Sequence, residues 1–266
     1  MKTTDLTFIV IASRQDTSII KTLESINSLG RIIIVDGGDR RIQDLEPHGE
    51  FNLEKIAELF GADYFYHPYL YSAESYNFAI AKVLSGYVFI LDSDEVIDKQ
   101  LHDWLLAEKY IQNPIYGIRR ENIFCGHQIK HGHLGPDFPY RLFAFGSAIY
   151  EDRSVHARLI FSAKPSLAEG TILHNSNPTI QHFALKLVAF TGREESARNK
   201  TNLSRNEKFL TRKNMRHLKF LGLLRFVHSY VLKRGFLEGK LGFQLAMAAW
   251  FYEILVSLRK DYSEPR

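Results

Sequence analysis

Over the first hundred residues, short runs of aliphatic and β-branched side chains alternate with stretches of helical periodicity, the pattern of a parallel sheet with crossover helices. Leu6 to Ile11 reads as a strand. Asp16 or Thr17 then caps a helix with the apolar stripe Ile19, Ile20, Leu23 and Ile26, which Gly30 ends. Ile32 to Val35 is an unbroken apolar strand of the buried kind, closed by Asp36-Gly37-Gly38-Asp39. The spacing predicts a helix from Asn52 to Phe60, stopped by Gly61, a strand from Asp63 to His67, and a helix from Ser72 to Leu84 stopped by Gly86. Tyr87 to Leu91 is a further strand, and it runs directly into Asp92-Ser93-Asp94-Glu95.

From about Pro114 to His174 the pattern turns to short aromatic-rich pieces such as Tyr116 to Arg120, Tyr140 to Phe145 and His156 to Ile160, which read as antiparallel strands. After Pro178 the chain becomes helical, over Thr179 to about Arg198, Phe220 to Val231 and Leu237 to Leu258. The expected organisation is an α/β domain over residues 1–198, with halves meeting near residues 112 and 113, followed by a helical C-terminal region over residues 199–266.

Composition adds three constraints. A single cysteine, Cys125, excludes a disulfide framework and multi-cysteine zinc sites, and makes the reducing cytoplasm the expected compartment. No uninterrupted apolar stretch is long enough to span a bilayer. The net charge of +4 is unevenly placed, because residues 193–240 carry 13 Lys+Arg against 4 Asp+Glu. That block, interleaved with Phe and Leu, suits an anionic surface.

Ligands of open α/β sheets bind beyond the carboxyl ends of the strands. Ser13-Arg14-Gln15-Asp16, Asp36 and the Asp92–Glu95 segment all fall there. Asp36 is placed to accept from a ribose hydroxyl or a base N–H. Three carboxylates within four residues repel one another, and a bound Mg²⁺ or Mn²⁺ is the expected counter-charge, since hard oxygen ligands without cysteine disfavour zinc. An alternative is that Asp94 and Glu95 favour the N-terminus of the next helix. An ion held by few carboxylates completes its shell with phosphate oxygens, which points to a nucleoside-diphosphate ligand.

The order of strand, Asp36, a helix containing Asn77, and Phe89-Ile90-Leu91-Asp92-Ser93-Asp94-Glu95 resembles the family 2 glycosyltransferases of the GT-A fold. Tyr116-Gly117-Ile118-Arg119-Arg120-Glu121-Asn122, His131-Gly132, Pro136-Asp137, Tyr140-Arg141-Leu142-Phe143, Val155-His156 and His174 look like the branch containing lipopolysaccharide core β-glucosyltransferases. The likeness of motif order covers roughly residues 5–195. It implies a GT-A, Rossmann-like, mostly parallel sheet followed by helices, and a metal-dependent inverting transfer from a nucleotide-diphosphate sugar, UDP-sugar first, to a glycan or glycolipid acceptor. By the same likeness Asp36, with Ser13, Arg14, Asn77 and Ser93, meets the nucleotide sugar. Asp92 meets the donor, and Asp94 holds the metal.

An inverting transfer needs a carboxylate on the acceptor side. Asp152 is the first choice, ahead of Glu151 and Asp137. Arg119, Arg120, His131 and Arg141 are the acceptor or phosphate contacts, because guanidinium matches anionic oxygens in pairs. His174 could complete the ion's shell beside Asp92 and Asp94. The basic C-terminal helices suit peripheral contact with the inner face of a membrane, or packing on the body. Competing readings are a nucleotidyltransferase, which Ser13-Arg14-Gln15-Asp16 disfavours by lacking glycine, and a non-catalytic binding protein for nucleotide sugar or membrane surface. No nucleic-acid partner is expected.

Overall fold

The computed structural model describes residues 6–12, 17–37, 52–68, 72–151, 158–199 and 215–262. In chain order the strands are β1 (Leu6–Ala12), β2 (Arg31–Asp36), β3 (Asp63–Tyr66), β4 (Tyr87–Asp92), β5 (Glu95–Ile97), β6 (Ile115–Phe124), β7 (His127–Gln128), β8 (Tyr140–Ala144), β9 (Ala148–Tyr150), β10 (Leu159–Phe161) and β11 (Ser166–Asn177). The α-helices are α1 (Ile19–Ile26), α2 (Leu53–Phe60), α3 (Ser72–Ile80), α4 (Lys99–Leu106), α5 (Ile180–Asn199), α6 (Met215–Val227) and α7 (Gly239–Tyr262). They divide between two compact units, one of residues 1–121 and 137–176, the other of residues 122–136 and 177–266.

The first unit is built on one sheet in the order β3-β2-β1-β4-β8-β6-β11-β5. Its first four strands are parallel, and β8 then pairs antiparallel with β4 and with β6. The α/β class expected from the sequence holds, with the parallel strands gathered at one end of a mixed sheet. Strands β1, β2 and β4 carry the unbroken apolar runs Phe8–Ala12, Ile32–Val35 and Val88–Leu91 because both sheet faces are covered. Phe8, Val10, Ile34, Phe89 and Leu91 pack with α1, α2 and α4, whereas Ile9, Ile33, Val35, Val88 and Ile90 face Ala73, Ala79 and Val83. Each such fully buried side chain contributes about 1.5–3 kcal/mol.

Helix boundaries follow local chemistry. Asn52 caps α2 by accepting from the Glu54 and Lys55 amides at 2.9 and 3.3 Å, and left-handed Gly61 ends it. Helix α1 buries Ile19, Leu23 and Ile26, but Thr22 takes the inner position that the stripe assigned to Ile20, which is exposed. Ser18, rather than Thr17, occupies its cap position, while Asp16 lies outside the described residues. Helix α3 stops at Ile80 instead of continuing to Leu84, which is 84% exposed; tight turns at Lys82 and Val83 intervene. Asp98 caps α4, accepting from Leu101 N at 2.7 Å, so neither Asp94 nor Glu95 has that duty.

Strands β5 and β11 are absent from the hydrophobic pattern, yet they pair antiparallel and place His174 opposite Glu95. Gly170 allows β11 to pass the start of α4. Its φ is +91°, and a Cβ there would stand 2.6 Å from Leu101 Cα. Gly170→Ala should therefore cost at least about 3 kcal/mol in urea denaturation, combining strain with overpacking. A loss below 1 kcal/mol would mean that α4 yields easily.

In the second unit α7 packs on α6 and α5. Arg225 Nε donates to Glu253 Oε1 at 2.8 Å, and Glu253 is fully buried. The 122–136 segment joins this unit through Phe124 and Ile129, which pack with Leu245 and Phe183. Among the described residues no helix is long and apolar enough to cross a membrane.

Candidate functional site

The carboxyl ends of the parallel strands set the site's frame. Ala12 is in register with Asp36, and Ile11 with Asp92, so the two aspartates stand two strands apart on one edge. Asp36 is fully buried at the end of β2 and accepts from the Tyr64 hydroxyl at 2.8 Å. Its carbonyl accepts from His67 N at 3.0 Å. His67 in turn stacks on Phe78 at 4.0 Å between centroids and meets Glu74 at 2.6 Å.

Beyond β4 the chain turns at Ser93-Asp94 and re-enters the sheet at Glu95. The Ser93 carbonyl accepts from Ser18 Oγ and Thr22 Oγ1, at 2.9 and 2.8 Å, which ties the turn to α1. Ser93 itself is buried.

Charge balance in this acidic segment differs from the sequence expectation of a cation alone. Arg141, buried on β8, donates through Nη2 to Asp92 Oδ2 at 2.7 Å and to Glu95 Oε1 at 3.2 Å. Arg120 Nη1 reaches the same Glu95 oxygen at 3.0 Å, and its Nε and Nη2 fork onto Asp137 at 2.9 and 2.7 Å. The other Glu95 oxygen accepts from Asp92 N at 2.9 Å. Two arginines assigned from sequence to acceptor contact thus neutralise buried acids. Burial works against the Asp92 carboxylate, but Arg141, the Tyr76 hydrogen bond and His174 outweigh it and hold Asp92 below the usual range. For Glu95 burial prevails, and its carboxyl is raised despite Arg141. Arg141 stays protonated, its own desolvation being more than offset by Asp92 and Glu95.

Asp94 faces a different partner. Its Oδ1 lies 3.3 Å from His174 Nε2, and its carbonyl accepts from Asn175 N at 3.0 Å. Among the described residues no three His, Cys, Asp or Glu side chains converge as a cage. A carboxylate with an imidazole suits Mn²⁺ better than Mg²⁺, with the rest of the shell taken from phosphate and water. The donor set therefore fits at Asp94 and His174, whereas Asp92 is committed to Arg141 and Tyr76.

Helix α3 supplies the floor. The Tyr76 hydroxyl donates to Asp92 Oδ1 at 2.7 Å, and its ring lies 4.7 Å from that of Tyr150. Burial, then the Asp92 charge, raises the Tyr76 hydroxyl well above its ordinary value and keeps it a donor. Asn77 grips the Tyr150 main chain from both sides, Nδ2 to O at 2.9 Å and N to Oδ1 at 3.0 Å. Its amide is thereby a brace for the β9–β10 hairpin. Glu151 follows that brace, and its N donates to Arg158 O at 2.9 Å. Asp152, Ser13 and Arg14 lie outside the described residues.

No family model matches the chain. Among solved structures it is similar to S. aureus TarS 1–349, at 10% identity and a TM-score of 0.43 over 98% of this chain and 93% of that one. The complex of TarS 1–349 with UDP-GlcNAc gives 11% identity and 0.43 over the same shares. A longer S. aureus TarS structure gives 13% and 0.41, and the chain spans half of its length. These scores describe a loose likeness.

The remaining assignments separate clearly. Asp137 has both oxygens in hydrogen bonds with the Arg120 fork. Arg119 is half exposed and pairs with Glu121 at 2.8 Å. His131 belongs to the second unit, where it meets Glu238 at 2.9 Å. Sequence reading missed Tyr76, Tyr150 and the structural part of Glu95. An alternation signal existed for none of them, because each acts through a polar tip on an otherwise packed residue.

Proposed function

We propose that the chain is an inverting glycosyltransferase of the family 2 type, moving a sugar from a nucleoside-diphosphate donor, UDP-sugar first, to a glycan or glycolipid acceptor of the lipopolysaccharide core kind. One observation carries this reading: Asp36 and the Asp92–Asp94 segment share the carboxyl edge of a parallel sheet, with Asp94 paired to His174. In this scheme Asp36 binds the nucleoside. Asp92, oriented by Arg141 and Tyr76, accepts from a donor-sugar hydroxyl. Asp94 and His174 would hold Mg²⁺ or Mn²⁺, whose bound charge offsets that of the departing diphosphate.

The β9–β10 hairpin carries the acceptor side. Asp152, with Glu151 as its alternative, takes the proton of the attacking hydroxyl. The new bond forms between that oxygen and the sugar's anomeric carbon, and the bond to the diphosphate breaks with its electron pair leaving on phosphate oxygen. Arg119 is the arginine left to meet the acceptor. The division into a donor half up to about residue 112 and an acceptor half to residue 198 belongs to the same reading, as does a cytoplasmic, peripheral location.

A thermal-shift screen of nucleotide sugars with and without Mn²⁺ tests it. Ligand at a hundred times its Kd adds about 2.7 kcal/mol, or roughly 5–10 °C for a chain of this size. A rise needing both ion and nucleotide, with nucleoside diphosphate released on adding acceptor or slowly to water, is expected. A shift without release would favour the non-catalytic binding protein, and no shift with any nucleotide sugar would end the proposal.

A further inference from the structure

Within the second unit, α6 leads through a π-turn over 228–232 into a short 3₁₀ segment over 235–238 and back along α7. The tip of this helical hairpin is unusual for a water-facing surface. Val231, Leu232, Phe236 and Leu237 are all exposed, Leu232 at 70% and Leu237 at 56%. Lys233 and Arg234 stand exposed between them. Clusters of large apolar side chains of this density mark interaction sites on soluble proteins.

The apolar surface continues down the hairpin. Phe243, Met247 and Phe251 repeat at four-residue spacing, which keeps them on one face of α7, and all three are exposed. Leu223, Leu224 and Val227 are exposed on α6. Aromatic contacts join the parts, since the Tyr230 ring lies 6.4 Å from Phe236 and 5.7 Å from Phe243, and Phe226 lies 5.8 Å from Phe243.

The tip is also held rigid. Gly132 N donates to the Lys233 carbonyl at 2.8 Å, His133 Nδ1 meets Ser229 Oγ at 2.9 Å, and Glu238 accepts from Lys130 N at 3.0 Å while facing His131. Among the described side chains of this hairpin the acids are Glu238 and Glu253, and both have cationic or N–H partners, so the charges standing exposed at the tip are those of Lys233, Arg234 and Lys240.

We propose that the α6–α7 tip is a preformed wedge that enters the headgroup region of an anionic lipid bilayer, with its apolar residues at the acyl boundary and Lys233 and Arg234 on phosphate. Apolar insertion and positive charge together form the two-part signal that surface-bound helices need. Spanning is excluded as the mode for the described helices, none of which is long and apolar enough. A second copy of the chain is the poorer occupant, because a symmetric contact would set Lys233 and Arg234 of both copies against each other.

Sedimentation with phosphatidylglycerol-containing vesicles, without nucleotide, tests this independently of any transfer activity. The full chain should bind these vesicles and bind phosphatidylcholine vesicles far less, with the difference closing at high salt. Lys233→Ser with Arg234→Ser should weaken partitioning about 25-fold, at roughly fivefold per cation near an anionic surface. Leu232→Ser, Phe236→Ser and Leu237→Ser together should weaken it about a hundredfold on the same scale. Unchanged melting temperature shows that the variants fold. Absence of wild-type binding, equal binding by the variants, or a dimer in solution that these substitutions dissolve would each overturn the proposal.

Discussion

Arg141→Met should cost about 3–5 kcal/mol of unfolding free energy, because it leaves the part-buried Asp92 without its cation and the fully buried Glu95 with Arg120 alone. The side chain is buried and touches both Asp92 and Glu95, and methionine fills most of its volume without its charge. The packing loss is small, so the deficit reports electrostatics. Its pH dependence has a definite sign. Without Arg141 both acids titrate higher in the folded chain than in the unfolded one, so the folded state binds the extra protons and stability falls as pH rises through their range. The deficit against wild type should shrink toward low pH, where both acids are neutral. Adding Glu95→Gln should recover part of the loss at neutral pH, since it removes the acid whose carboxyl is already raised. Urea denaturation at two pH values and a double-mutant cycle measure all of this. A loss near 1 kcal/mol without pH dependence would show that water, not Arg141, solvates the pair.

This cluster also explains how far residue patterns reach. Apolar runs located β1, β2 and β4 because strands covered on both faces cannot hide their composition, and Asp36 and Asp92 were then legible as the residues immediately after such runs. Strand β11 was not legible. Ser166–Asn177 mixes serine, glutamate, glycine and asparagine, and it exists because the sheet gives its backbone partners, not because its side chains demand burial. The Asp94–His174 pairing therefore leaves no mark in the residue pattern, although the register that creates it is simple.

Three neighbouring acids called for a counter-charge for a sound reason, and for two of them, Asp92 and Glu95, it comes from residues 25 and 46 positions downstream of Glu95. Long-range ion pairs leave no periodicity behind. The same arginines looked like ligand contacts because an arginine that binds phosphate and one that neutralises a buried carboxylate are the same residue type in the same kind of strand. Asn77 illustrates the converse. Its place on α3 was found, and its bonds to the Tyr150 main chain could be known only when β9 was seen beside it.

Asp94→Asn separates chemistry from architecture. The substitution preserves shape and the main-chain bond to Asn175, and it leaves the Arg120 and Arg141 bonds to Asp92, Glu95 and Asp137 in place, so stability should change by less than about 1 kcal/mol. If Asp94 holds the ion, turnover of a nucleotide sugar should fall about 10²–10³-fold, the usual loss when one element stabilising developing transition-state charge is removed. The Mn²⁺ concentration for half-maximal activity should rise at least tenfold, and His174→Ala should raise it 10- to 100-fold. Asp92→Asn must behave differently, because it breaks the ion pair with Arg141; activity and melting temperature should fall together. The contrast between the two aspartates is the discriminating result. Equal stability losses would make Asp94 part of the buried charge network, whereas an intact fold with unchanged Mn²⁺ dependence would move the ion elsewhere on the strand edge.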